Sequence, residues 1–326
     1  MELDLIDKKL LYELDANSRQ SKTQLAKKLK ISIQLVSFRL NKLNKENVLT
    51  SYYTVIDTSK LGLTIHKCFI KLQNINSIED ENKFINYLKN HPNIVWVTSC
   101  EGNFDLAFGV WAKDIVDLDI TLKEINKKFG NYINQKEISS IIKGQYFIRN
   151  YLVSKEMQTS MKESFFGAVP SSNSIDKKDW KILHMLGENS RVKISEIANR
   201  IELSMDSTSK RIKKLQNSKI IQHYNIVPNE DVYPYLHYKI FLKTKNFSEK
   251  DEDRIYLFSK LQENIVYLVK SVGSWDFEID VEVENVKQLR DIMMQFKLKF
   301  QEVLHDYSTL QILKVYKYNF CPSIKK

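Results

Sequence analysis

The chain repeats itself, and that constrains its fold more than any other feature of the sequence. An offset of 172 residues lays Asn189-Ser190-Arg191 on Asn17-Ser18-Arg19, and Asp179, Leu183 and Leu186 on Asp7, Leu11 and Leu14. Lys239, Phe241 and Lys243 still fall on Lys67, Phe69 and Lys71; with one residue fewer in the second copy, Gly273 and Asp276 fall on Gly102 and Asp105. The period is far longer than the roughly 20–50 residues of solenoid repeats, so a whole multi-domain module is duplicated. Between the copies, residues 152–173 end in the small, polar, Pro-containing run GAVPSSNS, which suits a linker. Met157, Met161 and Phe165 at helical spacing predict a short helix over 154–166.

Each copy opens with three short amphipathic segments. In copy one, Leu10, Leu11 and Leu14 mark the first, and Leu25, Ala26 and Leu29 the second. The third, after Ile31-Ser32, carries Val36, Leu40 and Leu43. Copy two repeats this with Ile182 and Leu186, then Ile197 and Ile201, then Thr208, Ile212 and Leu215 after Ser204. Ser32 and Ser204 suit N-caps, since a hydroxyl accepts an otherwise unpaired backbone N–H. Extended stretches from Val48-Leu49 and Ile220-Ile221 follow and predict a β wing for each unit. Three helices with a tight turn before the third are a DNA-binding arrangement, though also the pattern of any small helical bundle.

Charge supports the DNA reading. Residues 1–50 carry 10 basic and 6 acidic side chains, and residues 175–222 carry 11 and 6. Residues 65–145 hold 10 of each sign and 237–318 hold 13 of each. Nearly all of the net +10 therefore sits on the two helical units, as phosphate neutralisation requires. At about 100° per residue, Gln34, Phe38, Asn41 and Lys45 point outward on the third helix of copy one. Their counterparts in copy two are Asp206, Lys210, Lys213 and Asn217. The first set suits A·T pairs and the second guanine or phosphate; Asp206 also suits the positive end of its own helix.

The rest of each copy reads as βαββαβ. Strands are predicted over 66–73, 94–100, 104–112 and 135–148, with helices over 79–90 and 115–128. The corresponding strands of copy two are 237–244, 265–272, 275–283 and 304–318, with helices over 250–262 and 285–300. This order gives a ferredoxin-like sandwich with helices on one sheet face. The other face, with Trp111, is apolar enough to need a partner, and the tethered second sandwich is the nearest one.

The motif Ile31-Ser32-x-x-x-Val36-x-x-Arg39-Leu40-x-x-Leu43, its counterpart Leu203-Ser204-x-x-x-Thr208-x-x-Arg211-Ile212-x-x-Leu215, and the two Asn-Ser-Arg triplets resemble the Lrp/AsnC family. The resemblance covers nearly the whole chain apart from the linker. It implies an α+β fold: two tandem copies of a winged helix-turn-helix followed by a ferredoxin-like effector and oligomerisation domain. The domains would be 1–60, 61–151, the linker 152–173, 174–232 and 233–326. Ser32–Lys45 and Ser204–Lys219 become recognition helices, which adds Ser37, Arg39, Lys42, Ser209, Arg211 and Lys214 to the DNA-binding candidates. The resemblance also makes the turns Gly102, Asn103 and Asp105, and Gly273, Ser274 and Asp276, candidates for contact with a small-molecule effector such as an amino acid. A Gly-x-x-Asp turn is equally explained by backbone geometry.

The partners expected are double-stranded DNA, an effector, the sister sandwich of the same chain and further copies in a homo-oligomer. No cofactor is expected. The sequence has no CxxC, HExxH or P-loop, and His66 and Cys68, at i and i+2, have no second ligand pair nearby, so no metal is expected either. Cys68, Cys100 and Cys321 are distant in sequence and fit free thiols in a reducing cytoplasm. The opening MELDLIDKK does not read as a secretion signal, and no apolar run approaches the ~18 residues of a membrane span. Two alternatives remain: a tetrapyrrole enzyme like the sirohaem decarboxylases, which look similar at family level, and a sequence-neutral chromatin-type protein.

Overall fold

A computed structural model of the chain describes residues 3–158, 164–167, 169–171, 173 and 175–322. Copy one begins with α1 (Leu5–Ala16), α2 (Lys22–Leu29) and α3 (Ile33–Lys45), followed by β1 (Leu49–Ile56). Asp4, Ser21 and Ser32 cap the three helices with their side-chain oxygens. The sandwich follows as β2 (Thr64–Leu72), α4 (Ile78–Asn90), β3 (Ile94–Glu101), β4 (Leu106–Ala112), α5 (Ile115–Phe129) and β5 (Ile133–Tyr146). A short strand, β6 (Ser164–Phe166), lies between the copies. Copy two is built of α6 (Lys177–Glu188), α7 (Ile194–Ile201), α8 (Met205–Asn217) and β7 (Ile221–Pro228), then β8 (Leu236–Thr244), α9 (Glu249–Leu261), β9 (Ile265–Gly273), β10 (Phe277–Val283), α10 (Val286–Phe300) and β11 (Leu304–Tyr318). The second recognition helix thus ends at Asn217, before Lys219, which takes a left-handed conformation at φ 60°.

The two sandwiches pair within the chain. Copy one orders its sheet β5-β2-β4-β3 and copy two β11-β8-β10-β9. β3 pairs with β11 and β5 with β9, both antiparallel, so each free edge is satisfied by the other copy. The result is a closed ring of eight strands. α4 and α5 cover the outside of one sheet over Phe84, Leu88, Phe108 and Ile125; α9 and α10 cover the other over Ile255, Phe277, Phe296 and Phe300. Inside, Phe69, Phe104, Phe241 and Trp275 interlock toward the Gly102 and Gly273 turns, with Phe241 and Trp275 ring centres 4.0 Å apart. Trp111 lies buried in this interior, as its place on the uncovered face predicts.

The wings differ from expectation. β1 does not fold back within its own unit but pairs antiparallel with β7, from Leu49 opposite Pro228 to Ile56 opposite Ile221. Each helical unit then docks on the other copy's strand. Thr54 Oγ1 donates to Leu186 O at 2.6 Å, and the His223 ring meets Asp15 O at 2.8 Å. A short unit has too few apolar residues to bury a lone strand, and the duplicated partner supplies the missing surface. The expected cuts after residues 60 and 232 fall in the connections that lead from this shared ribbon into β2 and β8.

The helix expected over 154–166 is also absent from the described residues. Lys155–Met157 form a single 3-10 turn and β6 adds to β5, while Met161 lies outside the described residues. Gly144 makes this possible, since a Cβ there would stand 2.2 Å from the Phe166 ring.

Candidate nucleic-acid interface and interior cavity

α3 and α8 lie on the surface with their apolar seams, Val36, Leu40 and Leu43 and Thr208, Ile212 and Leu215, turned inward. Of the outward residues, Gln34, Phe38, Asn41, Lys45, Asp206, Lys210, Lys213 and Asn217 are all exposed, as is Lys214. Phe38 is 62% exposed, unusual for a side chain with no partner to cover. Exposed Ile33 and Met205 open the two helices; apolar periodicity does not single them out, although their position before the first inward residue marks them.

Other candidates have structural duties. Ser32 and Ser204 accept the N–H groups of Leu35 and Ser207, both at 3.1 Å. Ser209 Oγ returns to Met205 O, and Asp206 pairs with Lys210 at 2.7 Å. Arg39 turns onto Asp4 and the fully buried Asp7, and Arg211 onto Asp176 and Asp179. These arginines fasten each recognition helix to the first helix of its unit. Lys42 stands 3.8 Å from Asp7 and is half-buried.

The Asn-Ser-Arg triplets yoke the two units. Ser18 Oγ and Ser190 Oγ lie 2.6 Å apart, and the backbone N–H of each donates to the opposite ribbon strand, at Tyr224 O and Tyr52 O. Arg19 donates to Ser190 O and Val192 O and covers the Tyr224 ring; Arg191 donates to Ser18 O and covers Tyr52. The recognition helices are thus carried at a fixed separation.

The Gly-x-x-Asp turns follow backbone needs. Gly102 and Gly273 take φ of +131° and +139°. Asp105 accepts Leu72 N and Lys71 Nζ, and Asp276 accepts Thr244 N and Oγ1. A Cβ on Gly273 would stand 2.3 Å from Ile138 O, and Ser274 donates to Glu137. Asn103 is exposed. The turns sit beside the strands that join the copies. His66 is bonded through both ring nitrogens, to Thr64 and Ser140, and Cys68 is buried in the layer under α4 and α5.

The eight-stranded ring encloses a cavity of about 90 Å³ below the β1–β7 ribbon. Strand alternation in Phe277-Glu-Ile-Asp-Val-Glu-Val283 turns Glu278, Asp280 and Glu282 to one face of β10, all buried. Lys67 and Lys239 project from equivalent positions of β2 and β8. Lys67 pairs with Glu278 at 2.5 Å, and Lys239 with Asp280 at 2.5 Å. Burial, the largest influence, opposes ionisation of Asp280, but Lys239, His237 and Lys67 together outweigh it and hold the carboxyl well below its usual range. Arg149 grips Glu282 with two nitrogens at 2.8 Å and Asp15 of α1 with a third at 2.5 Å. Burial disfavours its charge, but Glu282 and Asp15 more than offset this. None of these residues is among the sequence-predicted candidates, although the alternating acids of β10 announce a polar inner face in a strand otherwise apolar.

Residues 3–50 match the winged helix-turn-helix DNA-binding family, and residues 175–216 the AsnC-type helix-turn-helix domain. An HTH-type transcriptional regulator of Pyrococcus abyssi is 29% identical over 43% of this chain and 90% of its own length. LrpC of Bacillus subtilis, an HTH-type transcriptional regulator, is 33% identical over 29% of this chain and 63% of its own. These relatives therefore each correspond to about one copy of the repeat. The solved siroheme decarboxylase NirDL matches 99% of this chain and 95% of its own with a TM-score of 0.61 at 10% identity, a likeness of fold alone. Among the described residues no helix is long and apolar enough to cross a membrane. The chain is thus similar to Lrp/AsnC-type regulators, with a DNA-binding type of helix-turn-helix in each of its two copies.

Proposed function

We propose that the chain is a sequence-specific DNA-binding regulator that works as a covalent pseudo-dimer and reads an asymmetric site. The observation that carries this is the pair of exposed recognition helices, unlike in their outward residues and yoked through Ser18, Ser190 and the two arginines. A homodimer of single copies presents identical helices and favours a palindrome; this chain presents Gln34, Phe38 and Asn41 on one side and Asp206, Lys210 and Lys213 on the other. Selection from a random DNA library at fixed salt is expected to return a motif with two different half-sites. Replacing the outward residues of α8 by those of α3 is expected to make it symmetric. A palindrome selected by the native protein would overturn the asymmetric reading, and equal affinity for selected and scrambled DNA would favour a chromatin-type protein.

Lys213 and Lys214 are proposed to meet phosphate. Replacing both by Ala is expected to weaken binding to every sequence and to lower the slope of log K against log salt by about 0.9 for each phosphate no longer neutralised. An unchanged slope would place these lysines off the DNA. A response to a small molecule such as an amino acid is part of the proposal, with the Gly102 and Gly273 turns as candidate contacts.

The whole-chain likeness to a siroheme decarboxylase, a protein also solved with an iron-uroporphyrin III analogue, supports a second reading as a tetrapyrrole enzyme. In the cavity, however, Lys67, Lys239 and Arg149 are each already paired with acids. A macrocycle bearing several carboxylates would find no free cation among them. A haem-like absorption band after incubation with iron uroporphyrin would favour the enzyme.

A further inference from the structure

The cavity inside the ring is walled by Tyr53, Trp96, Tyr233, Tyr235, Tyr318 and Phe320. Eight strands leave an interior that is either filled by side chains or shaped to hold one small ligand. Its charges do not balance. Glu230, Glu278, Asp280 and Glu282 face or flank it against Lys67, Lys239 and Arg149, and Arg149 is shared with Asp15. Glu230 is the acid left over. Among the described residues it forms no ion pair; its carboxyl accepts the Val315 N–H at 3.4 Å, and the charged groups that act on it include His237, the like-charged Glu282 and Lys314, which is itself held by Asp231 at 2.7 Å. Burial pushes its carboxyl up. An acid in such a place is stabilised by an incoming positive charge. The cavity already holds ammonium groups against aromatic faces, Lys67 and Lys239 standing 5.9 and 5.5 Å from the Trp96 ring.

We infer that this cavity binds an organic amine with an apolar body, its ammonium group at Glu230 and its body among Tyr233, Tyr235 and Phe320. A cation neutralises the surplus acid, and the aromatic walls cover an apolar body without leaving polar atoms unpaired. An acid of the same shape gains nothing at Glu230 and meets Lys67 and Lys239 already engaged. The inference does not rest on DNA binding, and its test contains no DNA.

The test is calorimetric titration of the full chain with tryptamine and with indole-3-propionate, which share an indole body and carry opposite charges. Saturable binding of tryptamine, at least tenfold tighter than that of the acid, is expected. Glu230→Gln is expected to remove that preference by weakening tryptamine at least tenfold while leaving the Tm unchanged. Equal or reversed preference in the native protein, or saturable heat with neither probe, would overturn the inference, and this comparison stands even where Glu230→Gln fails to fold. A preference that survives intact in a folded Glu230→Gln protein would overturn the role of Glu230.

Discussion

Arg149→Met is expected to lower the unfolding free energy by about 3–5 kcal/mol, because it leaves buried acids without their cation. Glu282 would lose two hydrogen bonds and Asp15 one. Both acids are buried, so water cannot replace the guanidinium without opening the structure. Tyr151 and Tyr146 also donate to these acids and would remain as their neutral partners. Denaturant unfolding of the two proteins at the same pH measures the effect. Adding Asp15→Asn and Glu282→Gln to the variant removes the stranded charges and is expected to restore part of the stability. A decrease below about 1 kcal/mol, or no recovery in the triple variant, would mean that water reaches the site and screens the acids.

The ion triad belongs to one side of the molecule. The counterpart of Asp15 in copy two is Gly187, where a Cβ would stand 2.6 Å from Cys321 Cβ. The counterpart of Arg149, allowing for the residue missing before the second turn, is Phe320. Likewise Glu278, Asp280 and Glu282 correspond to Ala107, Gly109 and Trp111. The two copies have therefore diverged inside the ring, copy two supplying Glu278, Asp280 and Glu282 where copy one has Ala107, Gly109 and Trp111, which a homodimer of identical copies cannot do.

The first half alone, residues 1–158, is expected not to remain monomeric. Cutting the chain there would leave β3 and β5 as open edges and expose the inner face that carries Phe69, Trp96, Trp111 and Ile141. Unpaired edges and a continuous apolar face drive association or aggregation. Light scattering is expected to show at least twice the mass of the half, or precipitation, whereas the full chain supplies its own partner. A half that stays monomeric at high concentration would show that the pairing between copies adds little to stability.

Much of this architecture is legible in the sequence because it is written in local periodicity. The offset of 172 residues, the seams Val36-Leu40-Leu43 and Thr208-Ile212-Leu215, and the caps Ser32 and Ser204 need only neighbours within a turn or two. The strands and helices of both sandwiches fall within a few residues of their predicted limits. What the sequence left open depends on contacts between distant residues. Whether β1 folds back on its own unit or pairs with β7 is decided by which surface buries more, and both choices share one alternating pattern. Arg39 reads as a basic residue on a recognition helix until Asp4 and Asp7 are brought beside it across the packing of α1 on α3. The cavity forms only when strands far apart in the chain close the ring and Lys67 meets Glu278 across it. Periodicity fixes which face of an element is apolar; only the tertiary structure decides what covers that face, because the entropy of closing such long loops is recovered only when all the partners meet at once.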